Sequence, residues 1–337
     1  MQENKLSIFV ITRFGIGQRH ENFYNQELPY LENLLSRSIL RQKEYITKWL
    51  VLIDINTPNF VRERLLKLAS KDLLHVHSHD PFLDGVLMPD ISIILKDIGV
   101  KDNDKVVTIR VDADDIISND YVSSIIDALK TGDLLKKYKE ISVNAINGIY
   151  FYPIRNKLVR VVKKDYSVQA LFSIFGKNFH SAYDYSHQTI GEQVMSKGGY
   201  SCILDQKEFW VRTMRQHSVT RFGKEFGILE GRFDILKNII KFLLFKILKN
   251  NTIYKDKVKI FDLKNSFVIN ESSVIFFKKH EKNLKKNKIN IPPLVQKILS
   301  SKKINSKFQI KDILLNLYKN EIDKDKKEKI KNEFYSV

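Results

Sequence analysis

Four short apolar segments, residues 6–12, 49–53, 73–77 and 105–110, alternate with segments of helical periodicity, and this alternation limits the chain to few folds. Strands covered on both faces read as continuous apolar runs, as these do. Between the first two, residues 27–41 set Leu28, Leu31, Leu34, Leu35 and Ile39 at helical spacing. A second helix over 60–69 is opened by Thr57-Pro58, and a third over 90–98 is stopped by Gly99. The repeat predicts an α/β fold, Rossmann-like, with a mainly parallel sheet and helices on both faces. Beyond residue 115 the pattern becomes mixed. A helix over 120–130 is capped by Ser118 or Asn119 and closed by Gly132. Residues 141–152 and 157–163 read as a hairpin turned at Arg155-Asn156, followed by a strand over 170–175, a helix over 186–196 and a last strand over 209–214.

The net charge of +18 is unevenly placed, with 26 Lys/Arg against 11 Asp/Glu after residue 230. This predicts two regions: 1–230, compact and nearly neutral, and 231–337, a Lys-rich, mainly helical C-terminal module. Cys202 is the single cysteine, so no internal disulfide forms and a reducing compartment is expected. The first residues lack a cationic start, a long apolar run and a small-residue cleavage site, so no signal peptide is expected. The apolar stretch 235–248 is broken by Lys237, Lys241 and Lys246, which argues against a membrane span. It suits instead a basic helix lying on an anionic membrane surface, or one packed on the rest of the protein.

The sharpest chemical signal is Arg110-Val111-Asp112-Ala113-Asp114-Asp115, at the carboxyl end of the fourth strand. Ligands of open α/β sheets bind outside the carboxyl ends of the strands. Three carboxylates within four residues repel one another unless a cation neutralises them, and a divalent ion holding a diphosphate would do so. The competing reading is an acidic loop leading into the next helix.

The strand followed by Asp112-Ala113-Asp114-Asp115 resembles the Asp-x-Asp motif of glycosyltransferases with the GT-A fold. Together with residues 12–17, 49–58 and 210–217, it resembles the rhamnosyltransferase family over roughly residues 5–225. The resemblance implies a transferase that uses a nucleoside diphosphate sugar and a divalent metal, Mn or Mg. It implies that Asp112 meets the donor ribose or the metal, that Asp114 ligates the metal, and that His217 completes the metal site. Asp54, at the end of the second strand, would read the nucleobase, and Arg13, Phe14 and Arg110 would bind the donor. Asp184 is the expected catalytic base, with Glu192 as the runner-up. The implied acceptor is a hydroxyl on a bacterial surface polysaccharide or lipid-linked glycan, which places the protein in the cytoplasm or at the inner face of the membrane.

Two motifs point elsewhere. Gly15-Ile16-Gly17 suggests a dinucleotide loop, but His20 stands where the third glycine is needed. His75, His77 and His79 alternate along a strand and suggest a metal-dependent hydrolase, although no later His-and-Asp set completes such a site. A basic nucleic-acid-binding protein is a further alternative. It lacks a recognition motif with interleaved aromatics, so no nucleic-acid partner is expected.

Overall fold

The structure, a computed structural model, describes residues 6–163, 168–186, 189–214, 252–257, 263, 265–269, 271–283, 307–321 and 323–336. The four apolar segments form β1 (Ser7–Arg13), β2 (Lys48–Asp54), β3 (Leu74–His79) and β4 (Lys105–Arg110). They pair in parallel, β3 on β2, β2 on β1 and β1 on β4. Three more strands extend the sheet past β4: β6 (Glu140–Ala145), β9 (Gln169–Ile174) and β10 (Tyr200–Leu204). The order is β10-β6-β9-β4-β1-β2-β3, with β9 antiparallel to both of its neighbours. This is the mainly parallel α/β sheet that the strand–helix alternation predicts.

Alternation along each strand divides the core between the two faces of this sheet. Ile8, Val10, Trp49, Val51, Ile53, Val107 and Ile109 share one cluster with α1 (Glu21–Tyr30), α2 (Ser36–Leu40), α3 (Asn59–Leu65) and α6 (Tyr121–Lys130). Phe9, Ile11, Leu50, Leu52 and Val106 share the other with α5 (Ile91–Asp97) and the C-terminal helices α10 (Lys307–Asn320) and α11 (Lys324–Ser336). The short α4 (Pro81–Asp84) adds Phe82 beside the second cluster.

A smaller sheet, ordered β12-β8-β7-β11-β5, lies beyond the carboxyl end of β4 in the chain. It contains β5 (Asp115–Ile117), β7 (Asn147–Tyr152), β8 (Lys157–Lys163), β11 (Trp210–Thr213) and β12 (Thr252–Lys257). Residues 141–152, expected as one strand, are two. The chain leaves the large sheet after Ala145 and enters the small one at Asn147, and Trp210 fixes the crossing by donating its indole N–H to the Ala145 carbonyl at 2.9 Å. Helix α9 (Glu271–Asn283) closes the small sheet's core with Val274 and Phe277. The helices α7 (Leu134–Lys137) and α8 (Ile190–Ser196) complete the described α-helices. The expected basic helix within 233–249 lies outside the described residues.

Candidate functional site

Parallel pairing brings Arg13, Asp54, His79 and Arg110 to one edge of the large sheet, the carboxyl ends of β1 to β4. There β4 runs out into the acidic turn, which begins with the Val111 N–H donating to the Ile11 carbonyl at 3.1 Å and closes with the Asp115 N–H donating to the Asp112 carbonyl at 3.1 Å. Asp115 then starts β5, whose antiparallel register sets it opposite Arg212 of β11.

Arg212 is the residue that sequence reasoning missed. Its Nη2 lies 3.0 Å from Asp112 Oδ2 and its Nε 3.6 Å from Asp115 Oδ1. The side chain is only 17% exposed. Burial works against its charge, yet Asp115, Asp112 and Asp114 outweigh that effect and hold the guanidinium above its ordinary pKa. Next to it the Thr213 hydroxyl donates to the Asp114 carbonyl at 2.8 Å. The small sheet thus holds the turn by side chain and register together.

Arg110 places its guanidinium 4.5 Å from the centre of the Tyr183 ring, a cation–π contact. Tyr183 in turn donates its hydroxyl to the Ile11 carbonyl at 3.4 Å, and burial raises its pKa. Arg13 directs Nη1 to the Met88 sulfur at 3.7 Å. These arginines, Tyr183 and the acidic turn share one stretch of the strand-end surface.

Other predicted residues sit differently. Phe14 is buried among aromatic rings, 6.3 Å from Phe23 and 5.7 Å from Tyr24 between centroids. Asp54 is fully buried. Its Oδ2 accepts the Gly17 N–H at 2.8 Å, and its Oδ1 accepts the Asn56 N–H at 2.8 Å and the Tyr335 hydroxyl at 3.3 Å. Asp184 is exposed, and its Oδ2 accepts the Ser181 N–H at 2.6 Å and the Ser181 hydroxyl at 2.9 Å. Glu192 is exposed in the first turn of α8, which begins at Ile190 rather than at Ser186. His217 lies outside the described residues.

The histidine row on β3 does not assemble into a site. His79 is buried, with Nδ1 2.9 Å from Asp84 Oδ2 and Nε2 2.9 Å from the Val86 carbonyl, so both ring nitrogens are engaged. His75 and His77 stack with centroids 6.3 Å apart. Among the described residues no three His, Cys, Asp or Glu side chains gather to hold a metal ion. The acidic turn provides the partly exposed Asp112 and Asp114. One or two carboxylates are what a Mg²⁺ ion takes when substrate phosphates supply further ligands, so the donor set fits such an ion.

A family profile described as "Putative rhamnosyl transferase" matches residues 21–224, more than half of the chain. No curated protein matches the sequence. Among solved structures, the chain is similar to a "putative nucleotide-diphospho-sugar transferase" from Desulfovibrio desulfuricans G20, at 12% identity and a TM-score of 0.34, over 71% of this chain and 97% of that one. It is similar to S. aureus TarS 1–349 at 11% identity and a TM-score of 0.35, over 98% of this chain and 89% of that one. HddC from Yersinia pseudotuberculosis is 9% identical, with a TM-score of 0.35, over 60% of this chain and 92% of that one.

Proposed function

The chain belongs to this rhamnosyl transferase family, a family of nucleotide-sugar glycosyltransferases, and on that premise we propose that it moves a sugar, rhamnose by the family's description, from a nucleoside diphosphate sugar to a hydroxyl of a bacterial surface polysaccharide or lipid-linked glycan. The observation that carries this reading is the acidic turn at the strand-end edge of the sheet, with Arg13, Arg110 and Tyr183 beside it.

In this reading Asp112 and Asp114 would hold a divalent ion, Mn or Mg, and His217 would join them. Such an ion, when bound, neutralises the charge that builds up on the departing diphosphate. Arg13 and Arg110 bind the diphosphate from the ends of β1 and β4, since a guanidinium offers a planar fork of donors to phosphate oxygens. Asp54 acts through the loop it holds, fixing the backbone around Gly17 where the nucleoside would lie. Asp184 takes the proton of the acceptor hydroxyl as the new glycosidic bond forms.

The test is a thermal-shift series with nucleoside diphosphates and nucleotide sugars, with and without Mn²⁺ or Mg²⁺. A ligand that binds only the folded state raises apparent stability. The expected result is a shift that needs both metal and one particular nucleotide, and that disappears in Asp114→Ala. Wild-type turnover in Asp114→Ala would overturn the assignment. The Lys-rich C-terminal segment adds a second arm. Among the described residues no helix is long and apolar enough to cross a membrane, and the proposed contact with an anionic leaflet is peripheral. Co-sedimentation with anionic vesicles, weakened by salt, checks it.

A further inference from the structure

We infer that Arg212 is a built-in counter-cation of the donor site, a positioning residue that holds Asp112 and Asp115 together before the donor arrives and gives up Asp112 when metal and diphosphate bind. The inference rests on the reading of Asp112 and Asp114 as the carboxylates of a metal–diphosphate site.

The geometry sets the two carboxylates of the pair apart. Asp115 is the inner one, its side chain 9% exposed and its backbone paired in the β5–β11 register directly opposite Arg212. Asp112 is the outer one, 29% exposed, outside any strand and joined to Arg212 by the 3.0 Å contact. Asp115 is therefore the fixed partner of the guanidinium and Asp112 the exchangeable one. In formal charge, one guanidinium with Asp112, Asp114 and Asp115 sums to two negatives, which a single divalent cation would balance. A free metal ion must then compete with Arg212 for Asp112 and sit close to a positive charge, so it binds weakly. A nucleoside diphosphate brings both oxygen ligands and negative charge, which favour the ion and give Arg212 a new anionic partner. Arg212 thereby makes metal binding depend on the donor.

The measurement is a Mn²⁺ titration of the full-length protein, followed by the electron paramagnetic resonance signal of free Mn²⁺, with and without a nucleoside diphosphate. Wild type is expected to bind Mn²⁺ weakly alone and strongly with the nucleotide. Arg212→Met is expected to bind Mn²⁺ alone at least about tenfold more tightly, because a positive charge a few ångströms from the ion is gone. Its nucleotide dependence shrinks accordingly. Arg212→Lys, which keeps the charge and loses the fork, should fall between the two. A merely structural arginine gives the opposite sign, since its loss would disorder the turn and weaken Mn²⁺ binding. Unchanged or weaker Mn²⁺ binding by folded Arg212→Met overturns the inference. Where Arg212→Met does not fold, unchanged or weaker Mn²⁺ binding by Arg212→Lys overturns it. Failure of the wild type to bind Mn²⁺ even with nucleotide removes the donor-site reading itself, a result distinct from either.

Discussion

At the scale of single residues, charge in an apolar setting is informative only when its partner is known. Arg212 sits in a strand with Trp210, Val211 and Thr213, and the residue it meets, Asp112, is 100 positions earlier. The acidic turn was legible because its three carboxylates fall within four residues of sequence. Its arginine was not, because the pairing depends on the register of β5 on β11. The histidines of β3 show the same limit from the other side, since their spacing suggests a ligand row, whereas His75 and His77 stack on each other and His79 is engaged by Asp84 and Val86. Burial, followed by the charge of Lys48, lowers the pKa of His75 below 6.5, and burial, followed by the neighbouring His75 and His79, lowers that of His77. The folded state then takes up fewer protons than the unfolded chain. Their contribution to stability is fully present above pH 6.5 and is lost as the pH falls from there through the lowered folded values. A His75→Gln/His77→Gln variant should accordingly lose less melting temperature than wild type between about pH 7.5 and 5.5, measured by thermal denaturation at fixed ionic strength. Asp184 gives a kinetic prediction. With its carboxylate exposed and accepting from Ser181 N–H, Asp184→Ala should keep metal-dependent nucleotide binding and lose transfer by about 10²–10⁴-fold, the usual range for a lost acid–base group, in a single-turnover assay.

At the scale of elements, periodicity found the helices and strands that local sequence specifies and failed where a distant contact reshapes the chain. The helix expected over 27–41 begins earlier, at Glu21, and carries Pro29 inside α1. Proline cannot donate to the helical ladder, and the chain responds with a π-helical turn over Leu31–Leu35. Asn33 Nδ2 donates to the Pro29 carbonyl at 2.9 Å, and the Ser36 hydroxyl donates to the Glu32 carbonyl at 2.5 Å. The division of 141–152 into β6 and β7 has a tertiary cause. Trp210 occupies the space beside Gly148, where an added Cβ would lie 2.2 Å from the indole. The apolar run conceals that change of sheet, because the neighbour that imposes it lies some sixty residues later. Gly148→Ala must push the indole off Ala145 or open β7 from β11. Overpacking of this kind costs about 1–3 kcal/mol, so urea denaturation should show a lower midpoint with an unchanged slope.

At the scale of the whole molecule, composition sets off a Lys-rich segment after residue 230 but does not say where its helices pack. Helices α10 and α11 return to the sheet and bury Leu314, Leu315, Ile330, Phe334 and Tyr335 against the face that carries Phe9 and Ile11. They do so beside the carboxyl-end edge of β1 and β2. Lys311, buried by its surroundings, donates to the Gly17 carbonyl and lies 4.8 Å from the centre of the Phe334 ring, while the Tyr335 hydroxyl donates to Asp54. Gly17 is therefore held on both sides, its N–H by Asp54 of β2 and its carbonyl by a helix 294 residues later. The backbone there has φ +74°, a conformation that glycine adopts without strain. Among the tail's described lysines, Lys311 is the buried one, and it helps shape the strand-end loop. Lys311→Met keeps the stem packed on Phe334 and removes the charged donor, which should cost about 1.5–3 kcal/mol of stability. If the loop from Gly15 to Gly17 forms part of the donor pocket, the same change should raise the KM for the nucleotide sugar with kcat nearly unchanged, because the acidic turn and Asp184 are left in place. A loss of kcat at unchanged KM would instead place Lys311 in the chemistry and move the donor pocket away from the glycine loop.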